Sequence, residues 1–269
     1  MVPTPGSAEA LDLGHECFLA FCSEQVRLAD GEVVETDGVL MLVGPNREPS
    51  AIDIAARLDP AVPPADAVAA AVRFYGERGR SFMLYTRSDT EADVAEAAVE
   101  AGLIPLLRTP EMHCWTRPED APVSESVTIR HVSTPDDVVA FASVMAAGYA
   151  DAGLSRAEAA VRFRHPDRWL GSAMTLFLAT LDGEPVSSGL TFVGAPVAGA
   201  FLLSTVPEAR GRGIGQAVVT RMTQAAFDVG SPMVGLQASR MGEAIYRRIG
   251  YHGVYLYRGF FWNPPAARR

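Results

Sequence analysis

Short apolar runs and stretches of helical spacing alternate along the first half of the chain. The run at 39–43 is bounded by Gly38 and Gly44-Pro45, which predicts a short buried strand. Residues 16–28 are apolar with mixed spacing, so helix and strand both stay open there. Further on, the spacing predicts a helix at 64–78, a strand at 81–86, a helix at 91–101 closed by Gly102, and strands at 103–107 and 112–115.

The second half follows a Pro- and acid-rich segment, residues 117–126, that suits a domain boundary. Ser155, with Glu158 three positions later, predicts a helix start, and Asp182-Gly183 predicts a hairpin turn. The predicted order is strand 127–132, helix 135–149, helix 155–165, strands 175–181 and 186–193, a strand ending at 206, helix 213–230, strand 233–238, helix 241–249 and strand 251–262. Residues 263–269 are expected to form a frayed tail.

The stretch 201–215 joins a strand, a glycine-rich turn and the start of a helix. Pro207 ends the strand, and Gly211, Gly213 and Gly215 follow at alternate positions. Glycines let the backbone approach a ligand, and unpaired amides at a helix N-terminus attract anions. Neither the Rossmann nor the Walker motif fits, because Gln216 replaces the third Rossmann glycine and the chain has no lysine for a Walker loop. The alternative is a glycine-rich turn without a ligand.

Arg210, Gly213 and Gly215 fit the pattern Arg/Gln-x-x-Gly-x-Gly/Ala. This pattern resembles the acyl-CoA signature of the GNAT family of N-acetyltransferases. The resemblance implies that the loop amides hold the CoA pyrophosphate and that the preceding strand pairs with the pantetheine arm. The residues that it assigns to CoA here are Ser204, Thr205, Val206, Arg210, Gly211, Arg212, Gly213, Ile214, Gly215 and Gln216.

A second stretch, residues 239–251, resembles the family pattern Asn-x-x-Ala-x-x-x-Tyr-x-x-x-Gly-Phe. Tyr246 and Gly250 match it, whereas Ser239, Gly242 and Tyr251 replace its Asn, Ala and Phe. The resemblance implies that Tyr246 protonates the leaving CoA sulfur and that Ser239 hydrogen-bonds the pantetheine. The alternative for Tyr246 is a ring that only packs against the sheet.

The resemblance implies an α/β fold, with a twisted mixed sheet flanked by helices. The catalytic domain is expected at 127–262. Residues 1–120 repeat its later elements without the glycine signature, which predicts a degenerate second copy that binds no CoA. The chain is thus expected to carry two tandem GNAT-like domains.

A general base is not evident from the sequence. The strand at 199–206 carries no residue that accepts a proton well, and the candidates elsewhere are Asp151, Glu158, His131 and His165. A water relay and an amine that arrives neutral are equally open. No cysteine lies near either motif, which favours direct acetyl transfer in a ternary complex over an acyl-enzyme.

Composition and charge limit the classes of binding partner that are expected. Residues 1–120 hold 9 arginines against 21 acidic residues, whereas 121–269 hold 14 against 11, so the half with the glycine loop repels a polyanion less. The sequence contains no basic patch with interleaved aromatic residues, so nucleic acid is not an expected partner. No apolar run is long enough to span a membrane. Three scattered cysteines indicate a reducing cytoplasm and no metal site. The expected substrates are acetyl-CoA and a small primary amine; a protein acceptor, another acyl-CoA, a CoA-binding module without turnover and a homodimer stay open.

Overall fold

The structure is a computed structural model that describes residues 3–45, 52–194 and 196–265. The helices are α1 (Ala8–Leu28), α2 (Pro64–Glu77), α3 (Ala92–Glu100), α4 (Pro135–Gly148), α5 (Arg156–Arg162), α6 (Pro166–Leu170), α7 (Ile214–Asp228) and α8 (Glu243–Arg248). The strands are β1 (Glu32–Thr36), β2 (Val39–Val43), β3 (Ile54–Arg57), β4 (Phe82–Arg87), β5 (Ile104–Cys114), β6 (Val127–His131), β7 (Met174–Leu181), β8 (Glu184–Gly194), β9 (Val197–Thr205), β10 (Val234–Gln237) and β11 (His252–Trp262).

The chain divides into two compact units. The first unit comprises residues 1–21 and 111–254, and the second comprises residues 22–110 and 255–269. The predicted catalytic and degenerate domains, 127–262 and 1–120, are continuous segments, whereas each observed unit combines two segments. That the two domains are copies of one fold stays a prediction.

The first unit contains a mixed sheet in which β6, β7, β8 and β9 pair antiparallel in sequence, β9 pairs parallel with β10, and β10 pairs antiparallel with the end of β5. Helix α7 lies against one face, where Thr191 donates a hydrogen bond to the Met222 carbonyl. Helix α4 lies against the other, where Ser204 donates to the Val144 carbonyl. Side chains of a strand alternate between faces; apolar residues of the sheet pack with those of α7 on one face, and α4 buries apolar residues of its own.

The second unit has its own set of strands and its own core. Strands β1, β2 and β3 pair antiparallel, β3 pairs parallel with β4, and β4 pairs antiparallel with β11. Buried residues of α2 and α3 pack on these strands, and the Tyr75 hydroxyl lies 2.8 Å from the carbonyl oxygens of both Leu42 and Ile54. The buried Asp53 carboxylate forms an ion pair with Arg80, so the charge of this carboxylate is compensated within the core.

Most predicted elements are confirmed, with ends shifted by a few residues. Residues 16–28 belong to a helix, and the two strands predicted at 103–107 and 112–115 are one strand, β5. Strands β1 and β3 and helix α6 had not been predicted. The α/β class with mixed sheet and flanking helices is confirmed. Residues 263–265 have no regular structure, and 266–269 lie outside the described residues.

Candidate functional site

The two sequence motifs meet at one cavity in the first unit. Its volume is about 480 Å³. The residues predicted to serve the reaction that line it are Ser204, Thr205, Arg210, Gly211, Gly213, Ile214, Gly215, Gln216, Ser239 and Tyr246. Two predicted CoA residues, Val206 and Arg212, are not part of the lining; Arg212 is exposed on the turn.

The glycine turn ends where helix α7 begins, and its backbone needs glycine. Gly211 and Gly213 have φ values of +76° and +78°, a region that other residues enter at a cost. Gly213 is the N-cap of α7, and because glycine has no side chain, the first amides of the helix receive no side-chain cap hydrogen bond from it. The first amides of a helix lack intrahelical acceptors, and they carry the positive end of its dipole. This end of α7 can therefore hold an anionic group such as a diphosphate.

Strands β9 and β10 separate beside the turn. Their parallel pairing is limited to Val234 with Ala198 and Gly235 with Gly199, although β9 continues to Thr205. The register of β8 and β9 also shifts, and Leu202 in that bulge has φ +53°. A bulge bends a strand and turns its groups away from the ladder. The open stretch of β9 therefore offers backbone groups to a ligand in the cavity.

Arg210 holds the protein backbone as well as lining the cavity. Its guanidinium donates to the carbonyl oxygens of Thr205 at 3.1 Å and Gly148 at 2.9 Å, and it contacts Asp151 at 3.3 Å. The side chain thus joins the end of β9 to the end of α4. A contact of Arg210 with phosphate stays a prediction.

Ser204, Thr205 and Ser239 keep protein partners while they face the cavity. The Ser204 hydroxyl lies 3.1 Å from that of Ser188, and the Thr205 hydroxyl lies 2.9 Å from that of Ser187. The Ser239 hydroxyl accepts the Gly242 amide at 3.1 Å and so helps to start α8. Its own proton remains a donor for a ligand.

Tyr246 lies on α8 and is buried. Burial raises the pKa of its phenol above the usual 10, and the neighbouring Tyr149 raises it further. The protonated phenol is therefore the form present at neutral pH. A methyl group on Gly242 would sit only 2.6 Å from Cε2 of Tyr246 and 2.8 Å from its hydroxyl oxygen, so the glycine leaves room for the ring.

Tyr149, at the end of α4, is a cavity residue that the sequence analysis missed. Its hydroxyl donates to the Leu203 carbonyl at 2.9 Å, within the bulged part of β9. Burial raises its pKa to about 12. No local pattern distinguished it, because the contact with Leu203 spans 54 residues of sequence.

Of the four candidate bases, Asp151 alone belongs to the lining of this cavity among the described residues. Glu158 completes the capping box of α5 with Ser155, and His165 is the N-cap of α6. His131 contacts the ring of Phe177 and lines a different cavity. Asp151 is largely exposed and faces Arg210. No cysteine is found among the residues that line the cavity.

Two further residues were missed at the cavity, Gln237 and Arg248. Arg248 donates to the side-chain oxygen of Gln216 at 3.4 Å and so lies beside the start of α7. No local sequence signal separates the two, because Arg247 and Arg248 are adjacent arginines of one helix. Arg247 instead pairs with Glu243 one turn earlier.

Comparison with protein-family models gives a match over residues 119–238 to the "Acetyltransferase (GNAT) domain". This region is a GNAT acetyltransferase domain. It contains the glycine turn, α7, Gln237 and the bulged β9, whereas Ser239 and Tyr246 follow it directly. No sequence among the curated proteins matches the chain.

Solved structures with the same fold cover both units of the chain. A GCN5-related N-acetyltransferase from Kribbella flavida has a TM-score of 0.70 at 18% identity and covers 92% of this chain and 95% of its own. A GCN5-related N-acetyltransferase from Sphaerobacter thermophilus has a TM-score of 0.62 at 16% identity and covers 86% and 82%. A GCN5-related glucosamine N-acetyltransferase region of a fungal multi-domain β-N-acetylglucosaminidase has a TM-score of 0.57 at 14% identity and covers 86% and 31%. At these identities the likeness is one of fold.

Among the described residues, no helix combines the length and apolarity that a membrane crossing requires. Within the same residues, no cluster of three or more His, Cys, Asp or Glu side chains could hold a metal ion.

Proposed function

We propose that the GNAT domain transfers the acetyl group of acetyl-CoA to the primary amine of a small molecule, by direct transfer in a ternary complex. One observation carries the proposal: the uncapped amide end of α7, the open stretch of β9 and the Tyr246 phenol face the same cavity. These are an anion site, a backbone donor and an acid, and thioester aminolysis needs all three.

The CoA diphosphate binds the amides that follow Gly211 and Gly213, with Gln216 and Arg248 beside them. The pantetheine arm lies along β9 from Ser204 towards the bulge, and Ser239 donates a hydrogen bond to it. Arg210 keeps the ends of β9 and α4 together, so that this track is preformed. Preformed donors stabilise a charge without reorganisation during the reaction.

The amine nitrogen attacks the thioester carbonyl carbon, and an amide of the bulged strand stabilises the oxyanion. The carbon–sulfur bond then breaks, and the thiolate takes the proton of Tyr246 while the nitrogen loses one proton to solvent. The phenol is protonated at neutral pH, so its proton is available when the thiolate leaves. Water afterwards restores the phenol proton.

Thiol release from acetyl-CoA with a panel of primary amines tests this function. We expect release that depends on the amine, and a loss of about 100-fold in kcat for Tyr246→Phe, in the range typical of one general acid. Full turnover of that variant at saturating acetyl-CoA would reduce Tyr246 to a packing residue.

The thiol-release assay, together with measurements of CoA and acyl-CoA binding, separates two other functions of this site. A CoA-binding module without turnover gives calorimetric CoA binding but no thiol release with any amine. An acyltransferase of different specificity binds succinyl- or longer acyl-CoA more tightly than acetyl-CoA. The glucosamine N-acetyltransferase region among the similar structures makes amino sugars a sensible part of the panel.

A further inference from the structure

A buried ionisable pair lies behind the wall of the cavity, and the acetyl-transfer chemistry described above does not use it. Glu111 and His113, on β5, are both fully buried, and the Oε1 atom of Glu111 lies 3.3 Å from Nε2 of His113. Taking a carboxylate out of water costs several kcal/mol per ion, so such groups are uncommon without a partner or a task. Buried ionisable groups next to a cleft are candidates for a functional role.

The backbone around this pair leaves room for it. A Cβ on Gly235 of β10 would lie 2.9 Å from Oε1 of Glu111, and a Cβ on Gly14 of α1 would lie 2.5 Å from Nε2 of His113. Two glycines on different elements therefore make the space that the pair occupies. An apolar core at this place would have no need for either gap.

Gln237 links the pair to the cavity. The β5–β10 register places Gln237 directly opposite Glu111, and its side-chain nitrogen donates to Oε2 of Glu111. Gln237 is only half buried and lines the cavity. Because the amide nitrogen faces this carboxyl oxygen, the amide oxygen is the other end of the Gln237 side chain. The amide oxygen and the second N–H of Gln237 remain for a ligand.

We infer that Gln237 binds the acceptor amine through its side-chain oxygen, and that Glu111 is the positioning residue that orients it. The inference rests on the proposed function. An amine N–H donated to Oε1 of Gln237 directs the nitrogen lone pair away from that bond and towards the thioester. The cavity thereby gains a fixed acceptor for one N–H of the amine.

The kinetic test uses Gln237→Leu, Glu111→Gln and the double variant, with 2-phenylethylamine, glucosamine and spermidine as acceptors. We expect kcat/KM for the amine to fall tenfold or more in each single variant, while KM for acetyl-CoA stays within about twofold. Residues that act through one another are not additive. The double variant should therefore be no slower than Gln237→Leu.

A matched control exists in the same unit. The side-chain nitrogen of Gln224 donates to Asp120 at 2.9 Å, a second glutamine–carboxylate pair, but Gln224 lines a different cavity. Gln224→Leu should lower the melting temperature and leave kcat/KM unchanged. Unchanged kcat/KM in both Gln237→Leu and Glu111→Gln, or additive losses in the double variant, would overturn the inference.

A binding measurement separates this inference from the proposed function. The side-chain ¹⁵N–¹H signals of Gln237, assigned by their loss in Gln237→Leu, are followed while 2-phenylethylamine is added to the CoA complex. We expect them to shift with saturation in the wild type and to shift less in Glu111→Gln. If CoA binds without any turnover, the proposed function fails while this shift still supports the inference; Gln237 signals that stay fixed at saturating amine refute it.

Discussion

The position of the Tyr246 ring depends on a residue that departs from the family pattern. Side chains on a helix point back towards its N-terminus, which carries the ring over the first turn of α8. Gly242 lies at that turn, and its missing Cβ is the space that the ring edge occupies. The family's alanine would not fit with this orientation of the ring. Glycine here is therefore coupled to the placement of the phenol.

Gly242→Ala should consequently impair the enzyme although it restores the family residue. We expect kcat to fall tenfold or more because the phenol is displaced, with unchanged CoA affinity and a stability change within about 1 kcal/mol. Kinetics and calorimetry measure the two effects. Gly253→Ala is the control, because its nearest atom would lie 3.7 Å away, an ordinary contact. Unchanged kcat in Gly242→Ala would mean that the ring can relocate without consequence.

Two adjacent arginines on α8 offer a paired test of the diphosphate site. Arg248 lies beside Gln216, whereas Arg247 is held by Glu243. We expect Arg248→Gln to raise KM for acetyl-CoA roughly threefold to tenfold, as an exposed charged contact would, and Arg247→Gln to change it little. Added salt should weaken CoA binding more in the wild type than in Arg248→Gln. Equal effects of both substitutions would place Arg248 outside the site.

At the scale of elements, α4 approaches β9 closely at Gly148. A Cβ on Gly148 would lie 2.6 Å from Cβ of Ser204 and 3.1 Å from the amide nitrogen of Thr205. The contact brings Tyr149, the next residue, to the Leu203 carbonyl. A small residue at the end of one helix thus sets the distance between the two walls of the cavity.

Gly148→Ala should separate α4 from β9. Overpacking of this kind costs about 1–3 kcal/mol, and thermal unfolding measures it. We also expect weaker binding of CoA, because Arg210 can no longer span from Thr205 to Gly148. Gly171→Ala serves as the control, since a Cβ there meets no atom within 4 Å. A variant with wild-type melting temperature and CoA affinity would contradict this account of the contact.

Local sequence predicted elements well where turn chemistry and apolar spacing agreed. Asp182-Gly183 joins β7 and β8 with φ values of +52° and +89°, as a hairpin turn requires. The same dipeptide at Asp37-Gly38 has φ values of +53° and +70°, but β1 was missed because its strand is mostly polar. The bulge at Leu202 left no local signal, because only the pairing with β8 creates it.

The part of the site that consists of backbone groups could be predicted from the sequence. Glycine spacing before a helix identified the turn, because the conformation itself demands glycine. Tyr149, Gln237 and Glu111 could not be found in this way, since each reaches the cavity through contacts between distant strands and helices. Their residue types are also common at ordinary positions of a fold.

Across the whole molecule, several buried or half-buried tyrosines have a raised pKa. Burial raises the pKa of Tyr149, Tyr246 and Tyr251 in the first unit and of Tyr75 and Tyr85 in the second. In the unfolded chain these phenols ionise near their usual pKa of about 10. A folded pKa above the unfolded one means stability that is present below pH 10 and lost as the pH rises further.

We therefore expect alkaline unfolding that begins above about pH 10 and coincides with ionisation of the buried tyrosines. Circular dichroism and tyrosinate absorbance, followed together against pH, should show superimposed transitions. Turnover should not decline on the alkaline side before that point, because the Tyr246 pKa is raised. Smooth tyrosine titration at pH 10 in the intact fold would contradict the burial.

The division of the chain into units could not be read from the sequence, because packing, rather than the segment 117–126, decides which unit a strand joins. Strand β5 contributes residues to both units, and so does β11. The uneven charge of the two halves was visible from composition alone. Whether the second unit is a second copy of the acetyltransferase fold remains a prediction.

The diphosphate site proposed at the start of α7 consists largely of peptide groups, and this has a consequence for mutagenesis. Replacing side chains one by one with alanine leaves every N–H of that turn in place, so such a scan would under-report the most important part of the protein. Sensitivity should instead concentrate at Gly211 and Gly213, where any gain of a side chain opposes the left-handed backbone. Over generations, loss of CoA binding in a lineage would be recorded first as glycines disappearing rather than as charges disappearing.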